Sequence, residues 1–321
     1  MNNLVSIAMS TYNGEAFLQE QLESILNQTY TNLEIIISDD CSTDNTVEII
    51  QEYKNKDKRI TFHQNEKNIG FVKNFEKAIS LCNGEFIALS DQDDIWKRNK
   101  IEIYLNEIQK NVLIYSNAIL IDKYSKENGK ELFSDVDKLC KGKVNNSFLL
   151  DNVASGNTMM FKKELVKYIL PIPSKITYHD FWISFVASTY GTINYTEEPM
   201  TYYRRHIEQV TNRTKNKYDN YFKKLEYKKE KLQQQYARKL DNLEAFKSLT
   251  ILENKNTIQI IDSLIWHFKN HQNIYFNIDL YKILNKNAEE IFASTSPNKR
   301  KKRILRYSCG LKLRSLAFFQ I

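Results

Sequence analysis

The chain has 321 residues, 42% of them hydrophobic, with only 8 Gly and 4 Pro, enough for one large domain or one domain with an appendage. No apolar run reaches the ~20 residues of a membrane-spanning helix, and the opening MNNLVSIAMSTYNG lacks the basic segment and long apolar core of a secretory signal. The four scattered cysteines (Cys41, Cys82, Cys140, Cys309) form no CxxC pair, which predicts a reduced, cytoplasmic setting without structural zinc.

Alternating strand and helix signals fill the first hundred residues. LVSIAM (4–9) reads as a strand, and Phe17, Leu18, Leu22, Ile25 and Leu26 then recur at helical spacing. LEIIIS (33–38) is a second strand, followed by a helix through Val47, Ile49 and Ile50 that Asp44 is placed to cap. RITFHQ (59–64), a helix over 70–82, EFIALS (85–90), a helix over 97–110 and VLIYSNAIL (112–120) continue the pattern. Residues 121–150 read as polar loop. GNTMMFKKELV (156–166) predicts a return strand entering a helix, and TYHDFWISFVASTYG (177–191) a helix with His179 and Asp180 in its first turn.

Continuous apolar strands separated by helices predict an α/β fold with a mostly parallel sheet covered on both faces. Ligands in such sheets bind beyond the carboxyl ends of the strands. Those ends carry Ser10-Thr11-Tyr12-Asn13-Gly14, then Asp39-Asp40-Cys41-Ser42, then Asp91-Gln92-Asp93-Asp94. Three carboxylates in four positions repel one another unless a cation compensates. A Mg2+ or Mn2+ ion holding a diphosphate takes one or two carboxylates plus phosphate oxygens. A single DxD pattern is equally a solvated acidic turn.

The wider pattern is specific. VSIAMSTYNGEAFLQEQLESILNQTYTNLEIIISDDCSTDNT (5–46), NEKNIGFVKNFEKAI (65–79), GEFIALSDQDDIW (84–96) and HDFW (179–182) resemble, in order and spacing, the family 2 inverting glycosyltransferases of GT-A fold. NIGFVKNF, SDQDDIW and YRRH resemble a branch that includes many rhamnosyltransferases. The resemblance implies a nucleotide-diphosphate sugar as donor, dTDP-L-rhamnose or a UDP-hexose, and a saccharide or lipid-linked acceptor in bacterial polysaccharide assembly. It implies a nucleotide pocket lined by Thr11, Asn13 and Glu15, with Asp40 on the pyrimidine, Asp91 near the ribose and Asp93 on Mn2+ or Mg2+. Asn68 and Gly70 would shape the facing loop, and Lys73, where many members have Arg, would act near phosphate. Ser10 departs from the family's common proline. Asp180 matches the general base, and its neighbours His179, Phe181 and Trp182 are of the kind that raise a carboxyl pKa for that role; an ordinary helix cap is the plain alternative. Trp182 is a platform for a sugar face or a core tryptophan. Arg204 is placed to reach the diphosphate and His206 to be a third metal ligand or a leaving-group donor, or both belong to a solvated hinge. His63, His267 and His271 are read as structural. A nucleotidyltransferase would want a Gly- and Lys-rich phosphate loop, which STYNGEAF does not offer; a non-catalytic nucleotide-binding scaffold would not need both Asp93 and Asp180.

The back of the chain differs in charge. Residues 1–200 carry 21 basic and 28 acidic side chains, residues 201–321 carry 25 and 11. The change predicts a catalytic domain over 1–210 and a basic helical region over 211–321. Tyr218, Phe222, Leu225, Leu232, Tyr236, Leu240 and Leu243 stripe a helix over 215–247, either packed on the catalytic domain or, as suits this helix better than a bilayer does, an oligomer interface, with further helix at 256–269 and 279–292. The end, from Pro297, has eight basic and no acidic residues, with Ile304, Tyr307, Leu311 and Phe318 near one face. It predicts peripheral attachment at the inner membrane face. Nucleic acid is not expected, because an acidic crevice repels its backbone.

Overall fold

Strands that are apolar on both faces need cover on both, and the first strand shows how it is supplied. The computed structural model describes residues 3–206 and 221–314, the side chains of 221–225 and 228 excepted. In β1 (Val5–Thr11), Val5, Ile7 and Met9 face one apolar cluster and Ala8 the other. Behind it follow α1 (Leu18–Leu26), β2 (Leu33–Asp39), α2 (Thr46–Lys56), β3 (Ile60–Gln64), α3 (Phe71–Ser80) and β4 (Phe86–Ser90). Then come β5 (Ile95–Trp96), α4 (Lys100–Ile108), β6 (Leu113–Ile121), β7 (Glu127–Glu131), β8 (Met159–Lys162), α5 (Val166–Ile169), α6 (His179–Tyr190) and β9 (Ile193–Arg204). The remaining described chain is helical: α7 (Tyr221–Lys247), α8 (Lys255–Asn270), α9 (Ile278–Lys286), α10 (Ala288–Ile291), α11 (Pro297–Ser308) and α12 (Leu311–Arg314).

The sheet runs β3-β2-β1-β4-β8-β6-β9-β5, with β7 on β6. β3, β2, β1 and β4 are mutually parallel, so the ends of β1, β2 and β4 open on one rim, with Ser10 opposite Ser38 and Met9 opposite Ser90. β8 is antiparallel to both β4 and β6, and β9 is parallel to β6. Sequence reading misses β9 because Glu197-Glu198-Pro199 interrupts its pattern. Pairing with β6 jumps from Ser116↔Thr196 to Ala118↔Thr201, so the polar residues bulge out of the ladder where a proline is tolerated. β5 is too short to carry a pattern, and β7 is exposed throughout, which removes the alternation a half-buried strand shows.

One apolar cluster joins β1 and β4 to α1 and α4. The other continues from the opposite face through α3 and α6 into the C-terminal helices. Tyr236 and Leu243 of α7 are buried, and Leu232 and Leu240 pack beside them, so the described part of the stripe faces the interior rather than another subunit. Tyr218 lies outside the described residues, as do the side chains of Phe222 and Leu225. Ile304 and Leu311 are likewise buried and Tyr307 stacks on Phe292 at 6.1 Å, so these three apolar groups do not form a free membrane-facing stripe; Phe318 lies outside the described residues. Among the described residues no helix is long and apolar enough to cross a membrane.

The tryptophan considered as a sugar platform is a core residue. Trp182 is 3% exposed, donates from Nε1 to the Ile169 carbonyl at 2.8 Å, and stacks with Phe246 of α7. Its indole faces the α6–α7 junction because three successive aromatic contacts of α6 (Phe181, Trp182, Phe185) converge on Phe246. Trp182→Ala is therefore expected to lower unfolding free energy by about 3–5 kcal/mol, read from urea denaturation, with sugar-nucleotide affinity little changed under conditions where the variant stays folded.

Candidate active site

The strand ends surround a cavity of about 870 Å³. Asn13, Glu15, Asp40, Asn68, Asp91, Asp93, Asp180 and His206 all line it, so eight of the positions expected from sequence share one hollow.

The nucleotide side is built from cross-braced loops. Asn13, in the left-handed conformation that asparagine tolerates, accepts from the Thr43 amide at 2.8 Å. Glu15 accepts from both the amide and side chain of Asn45. Asp40 is clamped by three donors: Asn65 Nδ2 at 3.0 Å and the amides of Ile69 and Gly70, each at 2.8 Å. Gly70 adopts φ +85° to present that amide, a backbone conformation glycine alone takes without strain. The carboxylate is thus fixed at the cavity wall before any ligand enters.

Two expected members of this side do not reach the cavity. Thr11 is 1% exposed and donates from Oγ1 to Asp39 at 3.0 Å, behind the rim. The strand alternation that points Ser10 and Tyr12 outward turns Thr11 inward. Lys73 points away too: its Nζ meets Glu76 at 2.8 Å and the Ile172 carbonyl at 3.0 Å, tying α3 to the segment before α6. Its neighbour Asn74 does the local work, donating to Ser10 Oγ and the Ser38 carbonyl, each at 2.7 Å.

The acidic run divides its three carboxylates. Asp91 and Asp93 face the cavity, while Asp94 is fully buried behind them. Asp94 accepts from Asn157 Nδ2 and from the Arg204 amide at 3.0 Å. Burial, and then the charges of Asp94 and Asp93, push Asp91 well above the usual carboxylate range; burial and the Asp93 charge push Asp94 up to about 7. Two basic side chains stand behind the cluster; burial pulls the Lys100 pKa well below its usual range, against the opposing pull of Asp94 and Asp91. Lys100 is fully buried, donating to the Asn157 carbonyl at 2.7 Å and Thr201 Oγ1 at 3.0 Å, with its Nζ 3.7 Å from the Trp96 ring centroid.

Arg204 is the second basic side chain, and it is not a diphosphate contact. It is fully buried, donates from Nε to the Asp93 carbonyl at 2.7 Å, pairs with Glu20, and lies over the Phe17 ring. β5 explains this placement, because pairing Ile95 with Tyr202 brings the end of β9 against the acidic run. Lys100, Asn157 and Glu20 were missed by sequence reading: each is an ordinary polar residue on a helix or loop, and only tertiary contact reveals its partner.

Two residues beyond Arg204, His206 Nε2 stands 2.9 Å from Asp93 Oδ2 at the cavity wall. Among the described residues no group of three or more His, Cys, Asp or Glu side chains is arranged to hold a metal ion. The Asp93–His206 pair nonetheless fits a hard divalent ion whose other ligands are phosphate oxygens and water, since such ions commonly take only one or two protein groups. Asp180, in the first turn of α6, also lines the cavity and accepts from the Gly156 amide at 3.2 Å. Desolvation in this wall pushes its pKa up to about 6.

A mixed sheet whose parallel strand ends open on a cavity lined by Asp40, Asp91, Asp93 and Asp180 fits a transferase fold. Comparison with known proteins agrees. The Glycosyl transferase family 2 model matches residues 6–170, and the chain belongs to that family. It is 34% identical over 244 residues to the uncharacterized glycosyltransferase MJ1057 of Methanocaldococcus jannaschii, covering 74% of this chain and 78% of the relative. It is 32% identical to the dTDP-rhamnosyl transferase RfbG of Shigella flexneri over 62% of this chain and 71% of that one. Among solved structures, S. aureus TarS 1–349 in complex with UDP-GlcNAc superposes with a TM-score of 0.59 at 17% identity, over 95% of this chain and 87% of TarS. The fold is the GT-A arrangement, and the class of activity is glycosyl transfer.

Removing the guanidinium takes away the donor to the Asp93 and Asp122 carbonyls and the partner of half-exposed Glu20. Arg204→Met is expected to cost about 1–3 kcal/mol of stability, measured by urea denaturation in EDTA.

Proposed function

We propose that this chain is an inverting, divalent-metal-dependent glycosyltransferase that moves a sugar from a nucleotide-diphosphate donor to a saccharide or lipid-linked acceptor in bacterial surface-polysaccharide assembly. The observation that carries the proposal is that Asp180 shares a single cavity with the Asp93–His206 pair and with Asp40. RfbG by its name uses a dTDP-rhamnosyl donor, and TarS was solved with UDP-GlcNAc, which supports dTDP-L-rhamnose and UDP-hexoses as the donors to test first.

In this reading Asn13, Glu15, Asp40 and Asn68 hold the nucleoside, with Asp91 at the ribose. A Mn2+ or Mg2+ ion, when bound at Asp93 and His206, supplies positive charge to the departing diphosphate. Asp180 takes the proton of the acceptor hydroxyl as that oxygen attacks the anomeric carbon; the bond from that carbon to the diphosphate oxygen breaks on the opposite side. A carboxylate with a pKa near 6 remains ionised at neutral pH yet is a stronger base than an exposed aspartate.

The test is release of nucleoside diphosphate from dTDP-L-rhamnose, UDP-glucose and UDP-GlcNAc, with and without Mn2+, followed by transfer to candidate acceptors. Asp180→Asn is expected to lower transfer about 100- to 10,000-fold while leaving donor affinity nearly unchanged. Because Asp180 must be ionised, the wild-type rate should fall as pH drops through about 6 and level off above it. Transfer that survives Asp180→Asn would remove the base assignment.

The proposal includes peripheral membrane attachment, by charge rather than by insertion. Lys301, Lys302 and Arg306 are exposed on α11, whereas Ile304 is buried. Basic groups near an anionic surface contribute about 1 kcal/mol each. Replacing all three with Glu should therefore abolish flotation with anionic liposomes and leave the fold intact; equal flotation would exclude this face. A homo-oligomer joined through the apolar stripe of α7 is not part of the proposal, because its described residues are packed inside.

A further inference from the structure

The ladder between β1 and β4 ends where Met9 lies opposite Ser90. Beyond that point a side chain takes the place of a strand. Gln92 Oε1 accepts from the Tyr12 amide at 2.7 Å, and Gln92 Nε2 donates to the Tyr12 carbonyl at 2.9 Å. Both backbone groups of Tyr12 are thus paired with one side chain, 80 positions away in the acidic run. Two bonds between the same partners fix orientation as well as distance.

Gly14 closes the other side of that amide. A Cβ there would overlap Gln92 Oε1 and Cδ, so the loop passes this close only because position 14 carries no side chain. Gly14 lacks the positive φ of Gly70, so close approach rather than backbone conformation is what requires a glycine. The far edge of the loop is tied to residues 42–46. The Asn13 amide donates to Ser42 Oγ at 2.9 Å, the Gly14 amide to Thr46 Oγ1 at 2.7 Å, and the Glu15 amide to Asp44 at 3.1 Å. Residues 12–15 therefore form a strap anchored at both edges, to the segment after β2 and to the residue between Asp91 and Asp93. The strap and Gln92 all border the cavity.

We infer that Gln92 is a positioning residue that holds the nucleoside loop at a fixed spacing from the diphosphate end of the site. Asn13 and Glu15 lie on the strap, and Asp91 and Asp93 flank the amide that anchors it. A ligand that engages both ends must match the spacing this pairing sets. Without the pairing, the strap keeps its ties to 42–46 but loses its hold on the acidic run, and binding at both ends at once first has to order the loop. The inference rests on the glycosyl-transfer reading above and adds how the two halves of the donor site are coupled.

The test is calorimetric binding of UDP and dTDP, each with Mn2+ and again in EDTA. Gln92→Met removes both hydrogen bonds at similar side-chain length and without a new charge. It should weaken the tighter diphosphate about five- to tenfold in Mn2+, and about twofold or less in EDTA. In the ligand-free protein the same variant should speed hydrogen exchange at the Tyr12 amide. Gly14→Ala drives the amide off Tyr12 and should reproduce the loss in Mn2+; in a Gln92→Ala background, where the methyl has room, it should add nothing. Equal weakening in Mn2+ and EDTA would mean that the amide shapes the nucleoside pocket alone. Unchanged affinity in Mn2+, unchanged exchange at Tyr12, or a full Gly14→Ala loss in the Gln92→Ala background would mean that the strap holds without it. Each of these overturns the inference and leaves the glycosyl-transfer reading standing. Failure of the wild type to bind either diphosphate in Mn2+ would instead remove the dTDP- and UDP-sugar reading and this inference together.

Discussion

Three carboxylates at one strand end and two fully buried basic side chains behind them form the constraint on which the rest of the architecture depends. Asp94 is fully buried; the Arg204 amide and Asn157 Nδ2 hydrogen-bond it, and Lys100 is close enough to favour its ionised form. Each basic side chain is in turn fixed by groups from distant segments. Lys100 requires the Asn157 carbonyl and Thr201, and Arg204 requires Glu20 and the Asp93 carbonyl. Burying paired charge rarely adds net stability, because desolvation offsets the Coulomb gain. What such a network contributes here is registration: it locks β5, β9, α1 and the loop before β8 onto the acidic run. Asp91 and Asp93 are then left facing the cavity with their backbone immobilised.

The wall that carries Asp180 is fixed by packing rather than charge. Asp180 and His179 occupy the first turn of α6, whose later residues Phe181, Trp182 and Phe185 pack around Phe246 of α7. The C-terminal helices therefore act on the site indirectly, as the apolar surface against which α6 is seated. Close-packed interiors transmit such placement because neighbouring side chains leave little room to shift. A basic region with no described residue at the cavity thereby still determines where the Asp180 carboxylate stands.

How much of this was legible in the sequence follows from the range of each interaction. The parallel half of the sheet and its helices carry local periodicity, and the strand ends announce themselves as polar clusters after apolar runs, so Asn13, Asp40, Asp91 and Asp93 are found at the rim where the pattern puts them. Asp180 was reachable through a short motif, and burial raises its carboxyl pKa as its apolar neighbours suggested. Thr11 fails because one step of strand alternation reverses its direction, and Lys73 because a flexible side chain follows the nearest acceptors, Glu76 and the Ile172 carbonyl. Arg204 fails for a different reason. Its strand is broken in sequence by Glu197-Glu198-Pro199, so neither β9 nor its pairing with the two-residue β5 is visible, and an arginine next to a carboxylate cluster reads as a ligand contact when it is a buried counter-ion.

Charge and depth together narrow what the cavity can admit. Asp40, Asp91, Asp93 and Asp180 line the walls, so a polyphosphate that enters needs a cation with it. A nucleotide sugar has only two phosphates, placed between a base that can face Asp40 and a sugar that can face Asp180. Among the described residues, Lys100 and Arg204 are fully buried behind the acidic run and Lys73 is directed to Glu76. In the proposed reading, compensation at the front of the cluster arrives with the ligand. The Asp93–His206 pair is the place where a carboxylate and an imidazole stand together at the cavity wall to receive it.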